Sequence, residues 1–409
     1  MKTVVVLGAA DGSLSTYRTA REMGYRTIAV DWKTTAPGIG VADEYLPVST
    51  RDVPALLAAL GDRRDIVGVV APSSDIALPT QRELTVALGL PVALSENAVR
   101  ASVDKRVVRG MLDDLGVSSY RWLEGDDPAQ LAAHARELRF PVVVKPVDAQ
   151  GGRGVARCAD PADVASAAWE AQRRSYGGRL MIEEEIPGVH CACECVVVDG
   201  RVAFIAMTRL ELCPPPLTLT TAHTMPAGLP ASVEDAIQSI VDTLCATLDY
   251  QQGPLTLDVV VTPEGEPYVI ELGLRTGGNG LDELVRQCYG VDPVRAALQV
   301  AVGQPIELTP HIPRPVMWRV LTAEHAGELV SVSGAARVTA IPEVAELVVL
   351  AEPGQPVRPY REVSDRLGWV VLRADTVAAL DEAAEQVRET LAFDVTPASD
   401  SDTVPSGNR

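Results

Sequence analysis

The stretch Leu255–Gly280, LTLDVVVTPEGEPYVIELGLRTGGNG, decides the fold of this chain. It begins with a largely apolar run that carries Asp258. It passes through the turn residues Thr262–Pro267 and returns in a second apolar run, Tyr268–Leu272, that carries Glu271. Apolar runs joined by Gly, Pro and polar residues are typical of a β-hairpin. The sequence therefore predicts two paired strands with one carboxylate on each.

The two carboxylates of this hairpin predict a metal site. Asp258 and Glu271 stand among residues that we expect to be buried, and burying an anion without a partner costs several kcal/mol. Mg²⁺ is a suitable partner because it accepts carboxylate oxygens and keeps room for phosphate oxygens. Arg275, Gly277 and Gly278 follow, so the segment also offers a cation and a backbone that a ligand can approach. The alternative is a surface hairpin with charged decoration.

Composition and charge limit the class of protein. The 409 residues suffice for two or three domains, and a hydrophobic content of 47% supports a folded core. A formal net charge of −19 argues against nucleic acid or an anionic membrane as a partner. The 7 cysteines show no pairing pattern, and no leader or membrane-spanning apolar run is evident. We therefore expect a cytoplasmic protein with reduced thiols.

The N-terminal part predicts a small doubly wound α/β domain at residues 1–100. A buried strand, Thr3–Leu7, a helix and a second strand, Thr27–Val30, form a βαβ unit. A third buried strand, Ile66–Ala71, ends at the loop Pro72–Asp75. Ligand-contacting loops of open α/β sheets lie at such strand ends.

A lysine and a glycine-rich loop predict a phosphate site. The apolar strand Phe140–Val144 leads to Lys145, and the loop Asp148–Val155, DAQGGRGV, follows. A lysine after a buried strand either extends to the surface or faces an anion. A glycine-rich loop frees backbone N–H groups to hold phosphate. Together with the carboxylate hairpin, these features indicate a triphosphate site with its metal.

The rest of the chain predicts two further domains and a tail. Residues 101–310 form the second domain, which contains the Pro- and Thr-rich segment Arg209–Leu229. Residues 311–397 form a small α+β domain, and residues 398–409 a disordered tail. Within the second domain, one strand carries three cysteines on the same face. We interpret them as small buried residues, because their spacing spreads the sulfurs over about 13 Å, too far for one ion.

Taken in order, these residues resemble the ATP-grasp superfamily of ligases. The series comprises Asp104-Lys105 in a predicted helix Ser102–Leu115, Lys145 with its loop, EEEIPG at 183–188, Asp258, and the pattern E-x-x-x-R-x-G-G from Glu271. The C-terminal part is similar to that of the bacterial L-amino acid ligases, which make dipeptides. The resemblance covers residues 1 to about 395. It implies an α/β ATP-grasp fold with a Rossmann-like N-terminal domain and a small α+β C-terminal domain.

The resemblance also implies roles for individual positions. The residues implied to bind ATP are Lys105, Lys145, Gly151, Gly152, Arg153 and Gly154 at the phosphates, Glu183, Glu184, Glu185 and Ile186 at the adenine, and Glu194 at a common acidic position. Asp258 and Glu271 would hold Mg²⁺ or Mn²⁺. Arg275 and Lys145 would act in catalysis, Arg275 on the acyl phosphate. The candidate substrate contacts are His223, Arg209, Gly277 and Gly278, although a histidine in a Pro- and Thr-rich loop is also expected to be a solvated side chain.

The chain departs from the family pattern at two positions. The family has E-x-N-x-R, with the Asn as another metal ligand, and Gly273 stands there instead. A water or a carbonyl must then complete the metal site. An acidic residue that contacts ribose is often found after the hinge, and His190 stands near that place.

The resemblance implies a carboxylate–amine ligase. A carboxylate attacks the γ-phosphate of ATP, and an amine then attacks the acyl phosphate to form an amide. The expected partners are a small-molecule carboxylate and an amine, with an amino acid among them, and a homodimer is common in the family. Two alternatives stay open: a carboxylase-like enzyme that activates bicarbonate, and a nucleotide-binding regulator without chemistry, which Gly273 supports.

Overall fold

The computed structural model of the protein describes residues 1–117, 120–214 and 219–397. The chain separates into two compact units. Unit 1 comprises Met1–Trp122, Glu183–Arg209 and Ala227–Ile312, and unit 2 comprises Leu123–Ile182, Leu210–Pro226 and Pro313–Arg409. The division into three domains remains a prediction, and the predicted tail at 398–409 lies outside the described residues.

The β-strands form from the apolar runs that the sequence marks. In chain order they are β1 Thr3–Leu7, β2 Arg26–Val30, β3 Glu44–Leu46, β4 Ile66–Val70, β5 Trp122–Gly125, β6 Val142–Pro146, β7 Ala156–Cys158, β8 Leu180–Glu184, β9 Val189–Val198, β10 Arg201–Leu212, β11 Thr220–Met225, β12 Gly253–Val261, β13 Pro267–Gly273, β14 Val316–Leu321, β15 Gly327–Ser333, β16 Val344–Val349, β17 Pro356–Val357, β18 Gly368–Arg373 and β19 Ala392–Pro397.

The α-helices bury one apolar face each. In chain order they are α1 Leu14–Glu22, α2 Val53–Leu60, α3 Leu78–Ala87, α4 Glu96–Val103, α5 Lys105–Asp114, α6 Pro128–His134, α7 Pro161–Arg174, α8 Ala231–Leu248, α9 Leu281–Tyr289, α10 Pro293–Ala301, α11 Ala335–Val338 and α12 Val377–Thr390. Short 3₁₀ turns lie at Asp11–Ser13, Pro37–Gly40, Asp75–Ala77, Ala135–Glu137 and Val363–Asp365.

Unit 1 begins with the predicted α/β arrangement. Strands β3, β2, β1 and β4 form a parallel sheet in that order. All five residues of β1 are buried, as expected for a strand that is covered on both faces. The mixed α/β class predicted from the sequence is confirmed.

A second group of strands in unit 1 holds the hairpin. Strands β13, β12, β9 and β10 are neighbours in that order and antiparallel. One face of β12 presents Leu255, Leu257 and Val259 to a core that also contains Val241 of α8. Because successive side chains of a strand alternate between faces, Thr256 and Asp258 lie on the opposite face.

Unit 2 is built from three groups of strands and their helices. Strands β5, β8, β6 and β7 are neighbours in that order, and α6 and α7 pack on this group through the core around Val144 and Ala168. Strands β11, β14, β18 and β16 are neighbours, as are β17, β15 and β19. The core around Leu329, Leu372 and Leu380 supports the C-terminal part.

The single helix expected at Ser102–Leu115 is wrong. The chain forms α4 and α5 instead, because Asp104 between them is extended, with φ −131° and ψ 104°. The Asp104 carboxylate accepts a hydrogen bond from Arg106 N at 3.0 Å and so caps α5. As a consequence, Lys105 is the first residue of its helix rather than a residue of an interior turn.

The Pro- and Thr-rich segment Arg209–Leu229 is more regular than the sequence suggested. Its first residues extend β10, and β11 lies in its second half. The sequence analysis missed this strand because the prolines of the segment outweighed the alternation of Thr and apolar residues. His223 therefore belongs to a strand and not to a loop.

No helix in the described part of the chain has both the length and the apolar composition that crossing a membrane requires.

The core beneath β12 should carry much of the stability of unit 1. Val241 on α8 is fully buried, whereas Val86 on α3 is 54% exposed. We predict that Val241→Ala lowers the free energy of unfolding by about 2 kcal/mol, because it removes buried methyl groups and leaves a cavity. The same truncation at Val86 should change it by less than about 0.5 kcal/mol. Denaturant unfolding measures both, and equal effects would contradict the assigned core.

Candidate active site

The two hairpin carboxylates face each other across paired strands. Asp258 of β12 is the direct partner of Glu271 of β13. The neighbouring residues Leu257 and Val259 are buried as expected, but Asp258 is exposed and the Glu271 side chain is 33% exposed. The two carboxylates are not buried with these neighbours, because the pleat of the paired strands turns them away from the core. Their juxtaposition, and not their burial, is what suits a cation.

A lysine lies directly against one carboxylate of this pair. Lys105 Nζ is 3.2 Å from Glu271 Oε1. Lys105 begins α5, whose first turn is fixed by the Asp104 cap described above. A positive charge beside two acidic groups reduces their mutual repulsion and leaves a mixed-charge surface. Such a surface can meet a phosphate and its metal together.

The donors on the hairpin fit Mg²⁺ as a partly protein-bound ion. Among the described residues there is no group of three or more His, Cys, Asp or Glu side chains that could hold a metal. Asp258 and Glu271 offer hard carboxylate oxygens from two adjacent strand positions. Mg²⁺ in nucleotide sites uses one or two carboxylates and completes its shell with phosphate oxygens and water. Two carboxylates are therefore sufficient for that mode of binding.

Arg275 is held by an acidic residue that the sequence analysis did not connect with it. Its Nη2 donates to Asp75 Oδ2 at 2.5 Å, and its Nη1 donates to Thr276 O at 3.0 Å. The side chains are 17% and 3% exposed for Arg275 and Asp75, respectively. Asp75 follows β4, at the strand end where sequence reasoning placed a ligand-contacting loop. That position was the available signal, but nothing in the sequence paired it with Arg275.

Glu194 of β9 lies on the same face of the sheet as Asp258, two strand positions away. It is the cross-strand partner of Thr256, which in turn pairs with Gly273. Glu194 is buried, and its Oε2 accepts a hydrogen bond from Gly277 N at 3.2 Å. Burial raises the pKa of Glu194 to about 8. Its assignment to the nucleotide remains a proposal.

The two glycines after Arg275 differ in their surroundings. A Cβ on Gly277 would lie 2.2 Å from Glu194 Oε1, so that position has room only for glycine. A Cβ on Gly278 would meet nothing within 4 Å. The packing on Glu194 therefore accounts for Gly277 without a ligand, and a substrate contact at either glycine stays a prediction.

The segment predicted to contact adenine begins at the end of β8. Glu183 and Glu184 are buried, and Glu184 N donates to Arg121 O at 3.0 Å. Ile186 packs with Tyr120 and Val260 in a small apolar cluster of unit 1. All three residues of the cluster are buried, and the contact of this segment with adenine stays a prediction.

Arg109 supports this segment and was missed from the sequence. Its Nη2 lies 3.6 Å from Glu183 Oε2, and its Nη1 donates to Val269 O at 3.1 Å. The guanidinium also stacks on Tyr120, 4.2 Å from the ring centroid. Arg109 is one helical turn after Lys105, so one face of α5 contacts β13 at both residues.

Unit 2 contains Lys145 and the glycine loop. Lys145 is the penultimate residue of β6 and is buried. Gly151, Gly152 and Gly154 all have positive φ, between 66° and 73°, which side chains other than glycine adopt at a cost. Arg153 is exposed, and its Nε donates to Gln150 O at 3.1 Å. The loop thus has the backbone geometry of a glycine-dependent turn, and its role at phosphate stays a prediction.

His223 is not a solvated loop residue. It is buried on β11, and its ring stands edge-on to Trp318 with 5.7 Å between centroids. Neither ring nitrogen has a hydrogen-bond partner among the described residues, and burial lowers the pKa of His223 to about 3. The imidazole is therefore neutral at physiological pH. Arg209, the other candidate, is exposed on β10 of unit 1.

The three cysteines of β9 and one cleft of unit 1 do not belong to the predicted site. Cys191, Cys193 and Cys195 are fully buried in the core that also contains α8, which confirms their interpretation as small buried residues. A cleft of about 790 Å³ is bounded by Arg82, Asp249 and neighbouring residues, and none of the predicted site residues lines it. The candidate site is therefore the hairpin surface.

Two family models match the chain. A model described as the ATP-grasp domain matches residues 138–283. A model described as L-amino acid ligase C-terminal domain 2 matches residues 319–396. The first match contains Lys145, the glycine loop and the carboxylate hairpin, and the second covers most of the predicted C-terminal domain.

Similar proteins include both characterised and uncharacterised chains. The uncharacterized protein y4rH of Sinorhizobium fredii is 27% identical over 87% of this chain and 75% of that protein. A formate-dependent phosphoribosylglycinamide formyltransferase of Synechococcus sp. is 24% identical over 94% of this chain and 96% of its own. The corresponding enzyme of Delftia acidovorans is 31% identical, but the alignment spans 44% of this chain and 46% of that enzyme.

Solved structures share the fold over nearly the whole chain. The L-amino acid ligase of Bacillus licheniformis aligns with a TM-score of 0.82 at 20% identity and covers 97% of this chain and 99% of that one. The phosphoribosylglycinamide synthetase of Anaerococcus prevotii aligns with a TM-score of 0.76 at 18% identity, over 97% and 100% of the two chains. At these identities the likeness establishes the fold alone, and together with the ATP-grasp family model it confirms the ATP-grasp architecture predicted from the sequence.

The raised pKa of Glu194 predicts a pH-dependent contribution to stability. The folded pKa of about 8 exceeds the value of about 4.3 for an unfolded Glu, so stability is complete below the unfolded pKa and is lost as the pH rises towards 8. We predict that Glu194→Gln gains stability relative to the wild type at pH 8 and gains little at pH 4.5. Thermal unfolding across this range measures the difference.

The exposed Glu83 provides a matched control on α3 of the same unit. Glu83→Gln should follow the wild type at every pH. A difference between Glu194→Gln and the wild type that is constant from pH 4.5 to pH 8 would contradict the buried, neutral carboxyl.

Proposed function

The chain belongs to the ATP-grasp superfamily, and from that premise we propose that it is an ATP-dependent ligase that joins a carboxylate to an amine. The proposed substrates include an amino acid, and the products are an amide, ADP and phosphate. The C-terminal match to the L-amino acid ligases supports an amino acid substrate. The full-length similarity to formate-dependent enzymes keeps formate among the carboxylates to be tested.

The proposal rests on the arrangement of two carboxylates of the hairpin and the lysine beside them. Asp258 and Glu271 are direct cross-strand partners, and Lys105 lies 3.2 Å from Glu271. This combination of two carboxylates and a cation suits Mg-ATP better than either would alone. Asp258 and Glu271 would hold Mg²⁺, which when bound neutralises charge on the phosphates.

The proposed reaction has two steps. A carboxylate oxygen of the substrate attacks the γ-phosphorus, the bond from that phosphorus to the ADP oxygen breaks, and an acyl phosphate forms. A neutral amine nitrogen then attacks the acyl carbon, phosphate leaves with its electron pair, and the nitrogen loses a proton to water. Lys105 and Lys145 are proposed to counter the phosphate charge, and Arg275 the charge that develops at the acyl carbon.

A substrate panel tests the proposal directly. The purified protein with Mg-ATP is offered amino acids in pairs, amino acids with small amines, formate with an amine, and bicarbonate. We expect ADP to form only when a carboxylate and an amine are both present, together with an amide seen by mass spectrometry. Turnover with bicarbonate alone would favour the carboxylase-like alternative, and ATP binding without turnover on any pair would favour the regulator.

Isotope transfer distinguishes the acyl phosphate from other routes. With a carboxylate labelled by ¹⁸O at both oxygens, one labelled oxygen should appear in the released phosphate for each amide formed. Phosphate without label would contradict an acyl phosphate, even if an amide is made.

The metal role of Glu271 gives a further prediction. Glu271→Gln removes an anionic ligand, so we expect the Mg²⁺ concentration for half-maximal turnover to rise at least about tenfold. Mn²⁺ binding in the presence of ADP, followed by electron paramagnetic resonance, should weaken in parallel. Glu264→Gln, in the exposed turn of the same hairpin, is the control and should change neither. An unchanged metal dependence in Glu271→Gln would remove Glu271 from the metal site.

A further inference from the structure

Gly273 occupies a position where a side chain has no room. A Cβ there would lie 2.9 Å from Asp75 Oδ1, 3.1 Å from Thr256 Cγ2 and 3.2 Å from Arg275 Cζ. The backbone does not require glycine, because Gly273 is not among the residues of positive φ in the described chain. The glycine is therefore explained by space, and the space is taken largely by the Asp75–Arg275 pair.

The Asp75–Arg275 pair is costly for a purely structural contact. Both side chains are largely removed from water, and ion pairs in such places gain little net stability over apolar packing. Within the part of the chain that the structure describes, Asp75 Oδ1 and Arg275 Nε are buried without hydrogen-bond partners. A stabilising network would satisfy these atoms. The arrangement is better suited to holding a guanidinium in one orientation.

The orientation of Arg275 is fixed from two sides. Asp75 accepts from Nη2, and the carbonyl of Thr276 accepts from Nη1. Both acceptors lie in unit 1, as does Glu271 four residues before Arg275. Because Asp75 is 200 residues away in sequence, the contact couples the turn after β4 to the end of β13.

We propose that Asp75 is a positioning residue for Arg275, and that Gly273 is required because any side chain there displaces this pair. The proposal rests on the proposed function, in which Arg275 acts on the acyl phosphate. We call Asp75 and Gly273 a matched unit, because the Asp75 side chain occupies the space that a side chain at position 273 would need. Asn at position 273, which the family pattern has, is incompatible with Asp75 in this chain.

The test compares Gly273→Ala in two backgrounds. In the wild type it should lower kcat for amide formation at least about tenfold, because a displaced catalytic group loses its alignment. In the Asp75→Ala background the same substitution should change kcat less than about twofold, since Asp75 Oδ1, the atom nearest to the added Cβ, is gone. An equal loss in both backgrounds would overturn the matched unit.

The KM for ATP and a conservative variant separate positioning from stability. We expect Asp75→Ala to lower kcat while KM for ATP changes within about threefold, and Asp75→Asn, which keeps an acceptor oxygen, to recover part of the lost kcat. Wild-type kcat in Asp75→Ala would overturn the positioning role, as would a loss of kcat that only tracks the fraction of folded protein. Gly110→Ala is the control, because a Cβ on Gly110 meets nothing within 4 Å, and it should keep wild-type kcat.

A crystal structure of Gly273→Ala tests this inference independently of the proposed function. We expect the Arg275 guanidinium to move away from Asp75 in that variant. An unmoved pair would overturn the inference even if the wild type proves to be a ligase. A displaced pair in a protein that turns over no carboxylate–amine pair would retain the matched unit and refute the proposed function and, with it, the positioning of a catalytic arginine.

Discussion

The register between β12 and β13 is the constraint on which the polar face of unit 1 depends. It sets Asp258 opposite Glu271 and Thr256 opposite Gly273. A slip of one residue would exchange the two faces of the strand and place the carboxylate against the core. Leu255 and Leu257 prevent such a slip because they are fully buried on the other face. The hydrophobic core thus determines which carboxylates meet, and the site follows from the packing beneath it.

Local patterns in the sequence were sufficient for the hairpin and for the parallel strands of the N-terminal sheet. Two apolar runs around a Pro- and Gly-containing turn predict paired strands with one carboxylate on each, because the turn and both strands are contiguous in the chain. The register that sets Asp258 opposite Glu271 is seen only in the structure. Predictions from local patterns failed where a few residues depart from the pattern around them. Asp104 interrupts an otherwise continuous helical pattern, and the prolines near His223 conceal a strand that its pairing with β14 stabilises.

Contacts between distant residues could not be predicted from the sequence. Asp75 and Arg275 are 200 residues apart, and Glu194 and Gly277 are 83 apart. No periodicity or turn signal reports that a buried carboxylate of one segment fills the space beside a glycine of another. From the sequence, glycines near a proposed ligand are explained by the close approach of the ligand to the backbone. The structure supplies a second explanation, which is the packing of a distant side chain into the space beside the glycine.

The glycines of this chain therefore require two different explanations. Gly151, Gly152 and Gly154 adopt positive φ, so their loop needs glycine for its backbone. Gly273 and Gly277 do not, and the space that a side chain would fill there belongs to Asp75 and Glu194. This distinction changes the meaning of the departure from E-x-N-x-R. A glycine left by the decay of a metal site would leave a gap beside it. A glycine packed against a buried carboxylate–guanidinium pair reflects an alternative way to arrange charge near the proposed metal ligands Asp258 and Glu271. It gives no support to a regulator that has lost its chemistry.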